Sequence, residues 1–431
     1  MKKLFSIIYF LAAFTTLFSE VYFEIPSDFK SQYEILGCFI TFEGKVLVMT
    51  DKSSLFQLPK KNLPDKQTID HAKSILIDQL CLQIEEKYLN PLGRVFVING
   101  SEQFTYHIMK VELTAKEMKA IKTKNEFKVS WISSTDLNKL PLLNYDRACL
   151  KDLFKEKKDK NYPINFAVCA IFQNEAKFLK EWIEYHRLLG AEKFYLYNNE
   201  SQDNFLNILK PYINSGIVDL KDWHDPDFQN HGQREAYADA INRVKSNVKW
   251  LAIIDVDEFI VPKIAKNIPD FLKDYERNEI GGVGINWQMF GTSHIKEIRP
   301  NELITEKFIL KACQNYGGNY LVKSIVRPDL VIMTRIHHFH YRLGFRQVDV
   351  NYQPFLFGIT KEVITNKIQI NHYWTKDEDF FFKTKVPRRL KWGDTQETIN
   401  QILNTLNEVE DHSIEKFTPA LRKAMKFDKE R

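Results

Sequence analysis

The stretch that most constrains this chain is Trp250-Leu-Ala-Ile-Ile-Asp255-Val-Asp257-Glu258-Phe-Ile-Val-Pro262, an apolar run with three acids in its middle. Residues 251–254 are continuously apolar rather than alternating, the pattern of a strand covered on both faces. Acids at the end of such a strand need a reason, because an unpaired buried charge is costly. Side chains alternate across a strand, so Asp255 and Asp257 are expected to project to one side while Val256 turns back into the core. Two hard oxygen donors converging on one point suit Mg2+ or Mn2+, with a nucleotide diphosphate completing the shell. Two solvated carboxylates at a strand mouth would give the same pattern.

Upstream, residues 166–172 read as a strand, 173–175 as a polar turn, 176–189 as a helix, 194–197 as a second strand and 198–203 as a second polar turn. Gly216–Leu220 reads as a further strand, and a helix runs from Gly232 into the acidic stretch. Such alternation predicts a mostly parallel sheet with ligand groups at the carboxyl ends of its strands. Asn174 and Glu175 then stand where they can contact a base or ribose, or cap the following helix. Asn199, Ser201 and Asp203 carry the same two readings, since Asn-Asn-x-Ser-x-Asp is also good turn chemistry. Gln233 and Arg234 open a helix whose amino-terminal amides favour phosphate, although a surface ion pair is an equal reading for Arg234. Late in the chain, Arg335-Ile-His337-His338-Phe-His340 and Asn371-His372-Tyr373 supply imidazoles that can complete a manganese site or serve as hydrogen-bonded structural residues. Trp287 and Phe290 are either a sugar platform or core, and the basic residues 383–391 are either a diphosphate screen or a solvated helix.

Taken in order, Asn174-Glu175, Glu181-Trp182-x-x-Tyr185-His186, Asn198-Asn199-x-Ser201-x-Asp203, Gln233, Asp255-Val-Asp257-Glu258-Phe259, Lys323-Ser-Ile-Val-Arg327-Pro328 and Asn371-His372-Tyr373 resemble glycosyltransferase family 92. The resemblance runs from about residue 166 to 391 and extends to family-2-like bacterial transferases. It implies a Rossmann-like α/β domain of the type A glycosyltransferase class. It also implies Mn2+ or Mg2+ at Asp255, Asp257 and a late histidine, His372 ahead of His340. If two donors share one ion at just over 2 Å each, they stand roughly 3–5 Å apart. Nucleotide contacts would come from Asn174, Glu175, Asn199, Asp203, Gln233, Arg234 and Asp255. A UDP-linked donor, in particular UDP-galactose, with inversion at the anomeric carbon and a glycan, glycoconjugate or other hydroxyl acceptor, follows from the same resemblance. A carboxylate would deprotonate the acceptor, and Asp225, Asp227 and Glu258 remain open for that role. The alternative is a non-catalytic nucleotide-sugar or carbohydrate-binding protein that keeps the fold.

Ahead of this region the chain begins Met1-Lys2-Lys3 followed by apolar residues 4–18, the charged and apolar segments of a secretory signal. The run is short for a bilayer span, so export is expected over a membrane anchor in a secretory compartment. Residues 24–143 are expected to form a smaller α+β domain: a hairpin around Glu43-Gly44, a polar loop over 60–67, a helix using Ile69, Ala72, Ile75, Leu76 and Leu80, and three further strands. This order resembles a Nudix fold, but Lys60-Lys61 replace the glycine pair and Ile75 stands where the resemblance puts a metal-binding glutamate. A Nudix-type nucleotide hydrolase is therefore the weaker alternative, and this domain is expected to be inactive. Charged residues 151–160 read as a linker to the main domain at 162–431. The net charge of only +5 over 431 residues gives no case for nucleic acid. Five widely spaced cysteines show neither a redox nor a zinc spacing.

Overall fold

The computed structural model describes residues 20–426 apart from 24, 27, 51–54, 64–67, 86–87, 100, 124–126, 155–159, 226–230, 277–278, 356 and 392. The expected signal at 1–19 thus lies outside the described residues. The chain forms two compact units: Met1–Asp159 with His340–Arg346, and Lys160–Phe339 with Gln347–Arg431. Among the described residues no helix is long and apolar enough to cross a membrane.

The first unit is built on a mixed sheet in the order Glu20–Tyr22, Leu89–Asn99, Glu102–Glu112, Tyr33–Phe42, Lys45–Thr50, Phe56–Gln57. Alternation along the strands divides the core in two. Leu36, Cys38, Ile40, Leu47 and Met49 pack with Ala72, Ile75, Leu76 and Leu80 of the helix Thr68–Leu80. Phe39, Val46, Val48, Val95 and Val97 pack with Tyr145, Cys149 and Leu150 of the helix Asn144–Phe154. The hairpin turns at Glu43 and Gly44, both at positive φ (47° and 72°), as a two-residue loop between antiparallel strands requires.

Two expectations fail in this unit. Lys60–Leu63 is a strand paired with Tyr33–Phe42 rather than loop, because the edge of that strand offers its backbone groups partners. The expected linker is helical through Phe154: Leu153 and Phe154 pack against the core although Lys151 and Asp152 beside them are charged. Asp146 is fully buried in this helix, accepting from Tyr106 Oη at 2.6 Å, Leu58 N at 3.1 Å and Lys60 Nζ at 3.4 Å. Gly37 makes room for that tyrosine: a Cβ there would stand 2.2 Å from its hydroxyl and 2.6 Å from Cζ. Gly37→Ala is therefore expected to drive the ring off Asp146 and lower stability by about 2–4 kcal/mol. A denaturant titration that leaves the midpoint unchanged would refute the crowding argument.

In the second unit the strands and helices alternate as the sequence predicts: β1 (Ile164–Phe172), α1 (Ala176–Leu188), β2 (Lys193–Asn199), α2 (Phe205–Asn214), β3 (Val218–Trp223), α3 (His231–Val244) and β4 (Val248–Ile253). After them come β5 (Glu258–Pro262), β6 (Ile280–Met289), β7 (Val322–Val326) and β8 (Ile368–His372). The sheet order is β3-β2-β1-β4-β7-β6-β8-β5. Only its first half is wholly parallel. β7 is antiparallel to both β4 and β6, and β8 is antiparallel to β5. β6 and β8 pair in parallel, so the expected parallel pairing holds for β3-β2-β1-β4 and for β6-β8, while β7 and β5 bring antiparallel neighbours and the sheet is mixed. Late in the unit comes the helix Gln396–Thr405, and Val409–Glu410 pairs with Leu310–Lys311. A second helix, Thr418–Met425, follows.

The family-like residues of α1 brace β5. The Trp182 indole donates to Glu258 O at 2.8 Å and the Tyr185 hydroxyl to Ile260 O at 3.0 Å. His186 uses both ring nitrogens, Nδ1 with Trp182 O at 2.9 Å and Nε2 accepting from Ile260 N at 3.4 Å, and burial pushes its pKa down to about 3. Glu181 is also buried and accepts from Ile304 N, Thr305 N and the Thr305 hydroxyl at 2.8–3.0 Å. Burial raises its carboxyl to about 7, against the opposing pull of those donors. A raised carboxyl pKa means the folded state binds the extra proton, so its contribution is present below the ordinary Glu value near ~4.3 and is lost as pH rises through about 7. Wild-type stability should therefore fall between pH 5 and 8 more steeply than that of Glu181→Gln, read as urea midpoints. Parallel pH curves would show that Glu181 does not titrate in this window.

Candidate functional site

The acidic stretch does not continue β4. The strand ends at Ile253, and Glu258 N donates back to Asp255 O at 3.1 Å, closing a turn that carries Asp255, Val256 and Asp257. Strand alternation therefore does not aim the two aspartates, although Val256 is buried as expected. What aims the site is β8, inserted between β5 and β6. Its register places His372 opposite Glu258 on one side and Met289 on the other, and Tyr373 N donates to Asp257 O at 2.8 Å. His372 Nε2 thereby stands 3.5 Å from Asp257 Oδ1.

Asp257, Glu258 and His372 each offer one ligand atom within 4.8 Å of the others. Lys385 Nζ lies 3.7 Å from Asp257 Oδ2, with its ammonium 5.4 Å over the Trp374 ring. Burial would raise the Asp257 carboxyl, but His372, Lys385 and Lys376 together hold it well below the carboxylate range. Lys385 belongs to a π-type turn, Phe381–Lys385, so the basic segment is not merely a solvated helix.

Asp255 lies outside that three-residue cluster. Its Oδ1 accepts from Gln233 Nε2 and Tyr237 Oη, both at 3.0 Å, and its Oδ2 from the buried Lys323 Nζ at 3.0 Å. Positive charge already reaches it through lysine, which is the physical difference from the expected ligand role. Glu258 is fully buried; one oxygen accepts from Asp255 N at 3.1 Å and the other is 3.8 Å from Lys323 Nζ. Burial pushes its carboxyl well up, and Lys323 offsets only part of that. With no exposed surface it has no route to an acceptor hydroxyl, so the expectation that it could be the base is not met.

The carboxyl-end turns are laced together by the residues expected to meet the nucleotide. Asn174, at positive φ (56°), accepts from Gln202 N at 2.7 Å, and its own N donates to Ser201 Oγ at 2.9 Å. Asp203 accepts from Ala176 N at 2.7 Å, and its other oxygen is buried without a partner. Both polar atoms of the Asn199 side chain bond the Asp225 backbone. Glu175 is paired with the buried Lys376, whose ammonium lies between the Phe178 and Phe380 rings. Arg234 lines a separate cavity with Ile241, Val331 and Arg335. Asp225 is buried against Gly232, where any Cβ would collide with its carboxyl group, and Asp227 lies outside the described residues. Phe290 is core, packed on Tyr373. The Trp287 ring instead contacts both His372 (4.4 Å between centroids) and His337 (5.1 Å). His340 belongs to the first unit. Nothing in the triple-histidine stretch told His337 from its neighbours.

A model of glycosyltransferase family 92 matches residues 162–425. A family 92 protein of Ricinus communis is 26% identical over 244 residues, covering 54% of this chain and 40% of that protein. A beta-1,4-galactosyltransferase of Caenorhabditis elegans is 25% identical, covering 54% and 53%, and a galactan beta-1,4-galactosyltransferase of Arabidopsis thaliana is 28% identical, covering 29% and 26%. The chain thus spans about half or less of the length of these relatives. Among solved structures, Staphylococcus aureus TarS with UDP-GlcNAc is 13% identical, covers 38% of this chain and 46% of that one, and gives a TM-score of 0.26. A Bacillus subtilis pyrophosphohydrolase gives 14%, 26%, 70% and 0.21. Both likenesses are too slight to carry an argument. The family match takes in β1 to β8 and every residue of the Asp257 cluster, and on that span the chain belongs to glycosyltransferase family 92.

Proposed function

We propose that the second unit is a metal-dependent, inverting glycosyltransferase that moves galactose from UDP-galactose to a hydroxyl of a glycan or glycoconjugate. The observation that carries the reading is the meeting of Asp257 and His372 across the β5–β8 pairing. The donor set fits Mn2+ or Mg2+: two carboxylates and an imidazole, with Glu258 Oε1 and His372 Nδ1 both buried and without a hydrogen-bond partner. Asp257 and His372 would hold the ion with Glu258 beside them, and a bound ion supplies charge neutralisation for a departing diphosphate. Lys385 and Lys376 add positive charge around Asp257. The nucleotide would lie over the ends of β1 and β2 at Asn174, Glu175 and Asp203, and reach Gln233 and Asp255. Asn199 and Arg234, turned toward the scaffold and another cavity, would act indirectly. Galactose and the glycan acceptor rest on what the Caenorhabditis and Arabidopsis relatives are named for.

For the first unit the proposal is a Nudix-like fold without hydrolase chemistry. Ile75 is fully buried in its core, and Lys61 Nζ bonds Asp78 at 3.2 Å and Ser74 at 3.0 Å where the resemblance puts magnesium ligands. Export through the amino terminus is proposed on the residue pattern of 1–18.

The full chain should transfer or hydrolyse a nucleotide sugar in a Mn2+-dependent way in a screen of UDP-sugars. Asp257→Asn should abolish turnover with an unchanged melting temperature, and His372→Ala should weaken Mn2+ binding by at least about tenfold in calorimetry. Normal Mn2+-dependent turnover in Asp257→Asn would sink the site.

A further inference from the structure

Of the carboxylates left open for the base, the two among the described residues, Glu258 and Asp225, are both buried. Glu258 is sealed, both Asp255 oxygens are engaged, and Asp225 is packed under Gly232. A neutral imidazole also has the chemistry of a base. His337 lies in the second unit, part-exposed, with Nδ1 3.0 Å from Val322 O. A carbonyl can only accept, so Nδ1 carries the proton and Nε2 keeps its lone pair.

The surroundings fix this imidazole closely. The Ser324 hydroxyl donates to His337 O at 3.0 Å, and Gln347 Nε2 donates to that hydroxyl at 2.6 Å. Gly358, at φ +75°, presses on the His337 backbone so closely that a Cβ there would stand 2.3 Å from His337 Cβ. Trp287 meets the imidazole edge-on at 81° and touches His372 with the same ring, so one indole separates the two histidines. The Trp287 Nε1 donor is itself buried with no hydrogen-bond partner. The charged and titratable groups acting on His337 are Lys323, Asp255 and His372; burial first, then Lys323, push its pKa down to about 4, so the ring is neutral at neutral pH.

We propose that His337 Nε2 is the general base that deprotonates the acceptor hydroxyl, across Trp287 from the Asp257–His372 pair; this rests on the transferase reading above. The hydroxyl O–H bond breaks and its proton passes to Nε2. The freed electron pair forms the new bond from oxygen to the anomeric carbon. The bond from that carbon to the diphosphate oxygen breaks, and its electrons leave with the nucleoside diphosphate.

The test uses the full chain and His337→Asn, whose amide can still donate to Val322 O but lacks the second nitrogen. Transfer kcat should fall by about 10²–10⁴-fold while calorimetric affinities for UDP and Mn2+ stay within about twofold. A kcat within about threefold of wild type, or a parallel loss of UDP affinity, overturns the assignment. Should the Asn variant melt early, rescue decides: added imidazole restores turnover to His337→Gly if the proposal holds and leaves it flat if the side chain is structural. Wild-type protein that uses no nucleotide sugar would instead retire the transferase reading itself.

Discussion

The second unit depends on one buried ammonium. Asp255, Asp257 and Glu258 fall within four residues, and Glu258 has no exposure at all. Carboxylates so close raise one another's pKa and cost several kcal/mol each to bury without compensation. Lys323 reaches Asp255 at 3.0 Å and Glu258 at 3.8 Å, and although burial works against its charge, those acids hold its ammonium above the usual range. It comes from β7, the first antiparallel neighbour of β4. The change from parallel to antiparallel pairing is thus what allows the acids to exist where they do. Continuing the same sheet, β8 then carries His372 to the other side of the turn.

Much of the motif chemistry around this site serves the scaffold. Trp182, Tyr185 and His186 are spent on the backbone of β5, donating to or accepting from Glu258, Ile260 and each other. They hold the strand onto which Glu258 and its register partner His372 are built, and all three are fully buried. Asn174, Ser201 and Asn199 do comparable work between the carboxyl-end turns. Of these only Asn199 is buried, where its amide must find partners; the bonds of Asn174 and Ser201 tie partly exposed turns to one another.

The parallel half of this fold was legible because each of its elements is signalled locally: continuous apolar strands, polar turns and an amphipathic α1. His372 was legible only through its motif, since register across β5 and β8 is a property of pairing and not of spacing. The turn at Asp255–Asp257 was misread as strand because its apolar flanks hide a hydrogen bond between Glu258 N and Asp255 O. Asp255 could not be separated from Asp257 without knowing that Lys323, 68 residues later, is its partner. Lys385 sat in a basic run that sequence treats as surface, yet its ammonium lies against Asp257.

His186 and His337 show how the same residue type divides between scaffold and chemistry. Both are kept neutral by burial, at about 3 and about 4, and both have Nδ1 against a main-chain carbonyl. In His186 the second nitrogen accepts from Ile260 N, so the ring has no bonding capacity left and serves as a strut. In His337 the carbonyl fixes the tautomer, but among the described residues no main-chain amide is brought to Nε2, while Ser324, Gly358 and Trp287 remove the freedom of the rest of the residue. His337 is part-exposed, so its Nε2 lone pair is left for solvent or a visiting group rather than tied to the scaffold as in His186. A group that must accept a proton from a visiting hydroxyl requires that lone pair, because a nitrogen already bonded to a backbone amide has no electron pair to offer.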